Sequence, residues 1–164
     1  MALANTGRID EAKALLKEVQ TLAASPAMEA FYLQSGEFGN HVLTMAGHQL
    51  AAEIARAQGN PVEEIGQLQK AVEVQDNFFY TEPPPWFFPA RQYLGASLLA
   101  QGKSAEAEAV YREDLKRLPK NGWSLFGLMS ALDTQGKQDE ATKVKAEFEK
   151  AWQHADVTLK ASRF

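Results

Sequence analysis

Apolar residues recur at helical spacing through most of this chain, and glycines rather than strand-type alternation separate the runs. Ala90, Leu94 and Leu98 fall on one face of a predicted helix, and Gly102 stands where a helix end wants a left-handed residue. Ser104 is placed to cap a second helix with Ala107, Val110, Tyr111 and Leu115 on its apolar side. Pro119 with Asn121-Gly122 then breaks the chain before a third helix. A shift of 34 residues lays Arg91–Leu118 over Leu125–Trp152: Leu94 falls on Leu128, Leu98 on Leu132, Gln101-Gly102-Lys103 on Gln135-Gly136-Lys137, Glu106-Ala107 on Glu140-Ala141 and Val110 on Val144. Dispersed identities at one fixed offset mark an internal repeat, each unit a pair of antiparallel helices. Small residues such as Gly95 and Ala107 sit where the two helices of a pair must approach closely.

Upstream, Asn60 and Glu63 form a capping pair around Pro61, and Ile65, Leu68, Ala71, Val72 and Gln75 continue that helix. Its partner spans roughly His41 to Ala57, with Val42, Met45, Leu50 and Ile54 apolar. Ser25-Pro26 predicts a short helix start, and Ser35 to Asn40 a loop. Gly7, followed by Asp10-Glu11-Ala12, Leu15, Leu16 and Val19, has the pattern of the second helix of a pair whose first helix is missing. The expectation is a native chain that continues upstream of Met1. On these grounds the chain divides into residues 1–58, 59–85, 86–121 and 122–164.

Leu94-Gly95, Leu98, Gly102, Ala107, Tyr111 and Pro119 together resemble one full tetratricopeptide repeat (TPR). The next unit departs from that pattern at Met129, Lys145 and Phe148, as suits a terminal, capping repeat. The stretch from Gly59 to the closing Ser162-Arg163-Phe164 is similar to the C-terminal region of long bacterial TPR proteins. The resemblance implies an all-α fold: an α-solenoid of about eight helices in antiparallel pairs, coiled into a right-handed superhelix. It also implies that first-helix positions line a concave groove, which places Gln92 and Leu99, then Trp123, Phe126, Ser130 and Asp133, on a partner-binding wall. Within the same pattern Asp114 replaces a small packed residue and Arg91 an aromatic one. An inter-helix ion pair between Arg91 and Asp114 is therefore expected in place of the usual contact.

Composition narrows the chemistry. Lys plus Arg is 17 and Asp plus Glu 21, a formal charge of −4, which speaks against a nucleic-acid partner. No apolar run approaches the length of a membrane-spanning helix, so no membrane insertion is expected. There is no cysteine, hence no disulfide or thiolate metal site; the compartment stays open, with the cytoplasm favoured over the periplasm. His41 and His48 are seven apart, without the H-E-x-x-H spacing, and no metal site is expected from them. Gly36-Glu37-Phe38-Gly39 lacks the lysine of a phosphate loop, and no G-x-S-x-G elbow occurs. Neither an enzymatic activity nor a cofactor is expected.

Six of the 16 aromatic residues lie between Phe78 and Phe88, split by Pro83, Pro84 and Pro85. Such an insert can fill a wedge between repeats, with Trp86 or Phe87 buried, or stand as a lip offering aromatic anchors to a peptide. Glu106, Glu108, Arg112, Glu113, Lys116 and Arg117 have the pattern of a solvated outer face with spacing-four pairs, each contributing about 0.2–0.5 kcal/mol. The function expected is a non-catalytic scaffold for an unidentified protein or peptide. The alternatives are a regulatory domain of a larger enzyme and a homodimerisation module that covers Ile9, Leu15, Leu16 and Val19 with a second copy.

Overall fold

The computed structural model describes residues 1–31, 38–86 and 88–163. Among them are nine α-helices and no β-strand, so the all-α expectation holds; the helix over the expected count is one of two single-turn pieces. Two compact units divide the chain, Met1–Ala90 and Arg91–Phe164.

The first unit holds α1 (Ala2–Asn5), α2 (Ile9–Ala23), α3 (Pro26–Glu29), α4 (Gly39–Ala57) and α5 (Pro61–Asp76). α4 is central and packs against both α2 and α5. Asn60 Oδ1 accepts from the Glu63 amide at 3.2 Å, the predicted cap, with Pro61 at the first helical position. Ser25 likewise accepts from the Met28 amide at the head of α3. The loop expected from Ser35 to Asn40 is cut short: α4 already begins at Gly39, while Ser35, Gly36 and Glu37 lie outside the described residues. α1 supplies one turn of the first helix that the sequence pattern left missing, and its Ala4 is buried. Arg56 of α4 donates to Asn5 Oδ1 and ties that turn in place.

The N-terminal apolar stripe is used differently from the expectation of a bare face. Ile9 and Leu16 pack with Leu3 and Leu50 around buried Ala4, Ala12 and Ile54. Val19 lies beside Gly47 of α4. Leu15 is the one member of the predicted set left well exposed, at 45%. A second copy is not needed to cover Ile9, Leu16 or Val19.

α6 (Ala90–Ala100) starts at the last residue of the first unit, and α7 (Ser104–Arg117), α8 (Gly122–Thr134) and α9 (Gln138–Trp152) make up the second. α8 packs against both α7 and α9. Ser104 is the first residue of α7 rather than its cap; it is buried, and its carbonyl accepts from Gln135 Nε2 at 3.3 Å.

One turn recurs four times. Gly7, Gly59, Gly102 and Gly136 all have φ between 69° and 81°. In each case the next amide reaches back five residues: Arg8 to the Leu3 carbonyl, Asn60 to Ala55, Lys103 to Leu98 and Lys137 to Leu132, at 2.9–3.0 Å. This is the Schellman closure, which satisfies carbonyls that a helix end would leave bare and which an L side chain at the glycine would strain. It joins α1 to α2, α4 to α5, α6 to α7 and α8 to α9, so among the described residues four helix pairs are connected the same way.

The proline-rich insert, residues 77–89, is irregular where described and carries a cis Glu82–Pro83 peptide. Phe78 and Trp86 pack on the buried cluster of Met45, Ala71 and Ala90, and Trp86 Nε1 donates to Gln49 Oε1 at 3.0 Å. Both rings are half-buried there, where full burial was one expectation for Trp86. Tyr80 is exposed, its hydroxyl donating to Glu82 at 2.6 Å, and Phe79 is exposed as well; Phe87 lies outside the described residues.

Candidate partner-binding site

Within the second unit the geometry is organised around Tyr111. Its side chain is fully buried, and a Cβ built on either Gly95 of α6 or Gly127 of α8 would overlap the ring. The phenol therefore sits between two helices that can approach it only because each offers a glycine. Gly95 was expected at such a contact; Gly127, from the following hairpin, was not visible in the repeat pattern. Burial holds the Tyr111 hydroxyl well above its usual pKa, so it is a neutral donor.

Asp114 lies one turn further along α7 and is 3% exposed. Ser124 Oγ donates to its Oδ2 at 2.5 Å. Burial raises the carboxyl's pKa above the ordinary value; the Ser124 bond, the charge of Arg91, a hydrogen bond from Gln92 and the charge of Arg117 each pull it back. Arg91 is itself buried, and its charge acts on Glu113 as well as Asp114. The sequence reading named Arg91 as partner and missed Ser124, which makes the direct hydrogen bond from the head of α8.

The predicted wall residues have separate fates. Gln92 is buried rather than presented to a partner. Its Nε2 donates to Asn121 Oδ1 at 3.0 Å, the same oxygen that caps α8 by accepting from the Trp123 and Ser124 amides. Leu99 is half-buried on α6. Ser130 spends its hydroxyl on the Phe126 carbonyl at 2.9 Å, and Asp133 is exposed one turn on. Trp123 and Phe126 do come together, in a four-ring cluster with α9. Trp123 meets Trp152 edge-on at 5.8 Å, Phe126 meets Phe148 edge-on at 5.7 Å, and Phe148 stacks on Trp152 at 5.8 Å. All four rings are half-buried. Gly122 leaves the space into which Trp152 folds. Phe148 and Trp152 escaped the sequence reading because they sit on a second helix, where the repeat places outer-face residues.

Glu108 is less bland than a spacing-four pair. Its side chain is 13% exposed and accepts from Lys137 Nζ at 2.7 Å, Arg112 Nε at 2.8 Å and Gln135 Nε2 at 2.8 Å; Arg112 also reaches Glu140 at 2.7 Å. The Gln135-Gly136-Lys137 turn after α8 is thus fastened to α7, the second helix of the hairpin before it. The Lys137 bond leads in drawing the Glu108 carboxyl from 4.5 down to about 2. A depressed native pKa contributes stability above the unfolded value and loses it as pH falls through the native one. Glu108→Gln is expected to cost about 1 kcal/mol at pH 7 after allowance for solvent screening. That cost should vanish between pH 4.5 and 2; urea titrations of both proteins across that range give the difference directly.

In the first unit, His48 Nδ1 is 2.7 Å from Gln67 Oε1 and His41 stands edge-on to Phe38. His48 also borders a shallow, mostly apolar cavity of about 220 Å³ between α2 and α4, lined by Gln20, Leu43, Thr44 and Gly47. Among the described residues no group of three His, Asp or Glu side chains is placed to hold a metal ion. None of their helices is long and apolar enough to cross a membrane. Comparison with protein-family models, with curated proteins and with solved structures finds no match for this chain.

Proposed function

We propose that this chain is a stretch of a tetratricopeptide-type α-solenoid that holds a protein or peptide partner and catalyses no reaction. The recurring glycine turn and the small-residue contacts that admit Tyr111 support the solenoid reading, since identical hairpins with complementary flanks are what stacked repeats require.

The observation that carries the binding role is the half-buried cluster of Trp123, Phe126, Phe148 and Trp152. Large rings already fixed against one another lose little freedom on binding, and such residues dominate the energy of protein interfaces. Gln92, buried and bonded within the unit, drops out of the contact set; Leu99 and Asp133 stay as flanking positions. A partner identified by in-cell cross-linking should bind the Trp123→Ala, Phe126→Ala double variant at least tenfold more weakly by calorimetry. Unchanged affinity in a variant with wild-type circular dichroism removes this surface from consideration.

A further inference from the structure

The segment that follows α9 turns back over the unit. Trp152 Nε1 donates to the Val157 carbonyl at 2.7 Å, residues 153–158 run exposed, and Leu159 is then buried. Ser162 is 3% exposed, with its Oγ 3.1 Å from the Gln92 carbonyl and 2.5 Å from the Tyr111 hydroxyl. A carbonyl can only accept and a serine has one proton. Ser162 therefore donates to Gln92, and Tyr111 must donate to Ser162. Arg163 follows, its guanidinium 5.5 Å from the centre of the Tyr93 ring.

Three features of this arrangement belong to the helices rather than to the segment. Tyr111 offers a neutral, buried O–H with its ring clamped, and the Gln92 carbonyl faces the same point; Tyr93 presents an aromatic face one residue along. Together they read a hydroxyl and then a cation in a bent, non-helical backbone, with an apolar side chain three residues before the hydroxyl.

We propose that this face of α6 and α7 is a receptor for a non-helical peptide of the pattern Leu-x-x-Ser-Arg, and that Leu159–Arg163, which bends at residues 160–162, is its resident, displaceable occupant. A partner segment carrying the same side chains enters by exchange. Threonine can replace the serine, since it keeps both hydrogen-bonding roles; alanine cannot. Trp152 touches both this segment and the aromatic cluster, but Trp123 and Phe126 make none of the segment's hydrogen bonds given above, so variants at those two and at Ser162 and Arg163 test the two proposals separately.

The test uses the full chain carrying Ser162→Ala and Arg163→Ala, titrated with the synthetic peptide VTLKASRF. The variant should bind it at least tenfold more tightly than the wild-type chain, in which the tethered segment competes, and should not bind VTLKAAAF. Equal affinities, or no binding by the folded variant, overturn the proposal. Hydrogen exchange on the unaltered chain gives a second, independent reading. Amides of residues 157–163 should exchange at least tenfold faster than those of α6 to α8, as a displaceable occupant requires. Exchange of the segment only together with those helices would make it a fixed part of the core and would overturn the idea.

Discussion

Tyr111→Ala is expected to cost about 4 kcal/mol, the usual range for removing a fully buried aromatic side chain. The more telling result is its coupling to Gly127. Alone, Gly127→Ala should destabilise by about 2 kcal/mol: overpacking costs about 3, and better helix propensity returns about 1. The ring cannot swing away from the new methyl, because Gly95 and α6 close its other face. In the Tyr111→Ala background the same substitution should stabilise by about 1 kcal/mol, so urea denaturation should give a coupling energy near 3 kcal/mol. Gly66 of α5 is the control: a Cβ there meets nothing, and Gly66→Ala should stabilise by about 0.5–1 kcal/mol. Equal effects at Gly127 and Gly66 would mean that Tyr111 is not clamped.

The second large effect belongs to Ser124. Ser124→Ala removes the donor facing a buried carboxylate and leaves Asp114 with the charges of Arg91 and Arg117 and the Gln92 bond. The expected cost is about 2 kcal/mol where Asp114 is ionised, since hydrogen bonds to charged groups exceed neutral ones. The pH dependence has a definite sign. Burial raises the native pKa of Asp114, so the folded state holds the proton more firmly than the unfolded chain. That group's contribution falls as pH rises from the ordinary aspartate value through the raised one. Once Asp114 is protonated, the lost bond is a neutral one and the cost should shrink to about 1 kcal/mol. Denaturation at neutral and acidic pH, with variant and wild type compared at each, tests both the size and the direction. A cost that grows on acidification would contradict a buried, charged Asp114.

The two predictions concern residues that the sequence disclosed unequally, for a physical reason. Helical hairpins are written in local spacing. The offset of 34 residues, the glycine after each first helix, the Asn60 cap and the buried positions Leu94, Leu98, Ala107, Leu128 and Leu132 all depend on neighbours a few residues away. Those features were legible. Partner choice across hairpins is not periodic: Gly127 against Tyr111, Ser124 against Asp114, and Lys137 against Glu108 bring together side chains whose separations follow from packing distance. Gln92 illustrates the error that results. A repeat position places it on an open wall, whereas its side chain is buried and bonded to the Asn121 cap. The N-terminal stripe failed for a related reason: Ile9, Leu16 and Val19 form an apolar face whose cover, α4, is supplied by the same chain. Trp123 and Phe126, placed on the wall by repeat position, join one cluster through Trp152 and Phe148, and those two partners become visible only with the packing of α9 on α8.

The bond between Tyr111 and Ser162 joins residues 51 apart in the chain. At roughly 5–20 residues per second of synthesis, a ribosome needs about 3–10 s to make that interval. Throughout this time the nascent α6–α7 hairpin carries a phenol and a carbonyl whose eventual partner does not yet exist. Water or a passing polypeptide can occupy both. The side chain that answers the phenol is thus made only after α8 and α9.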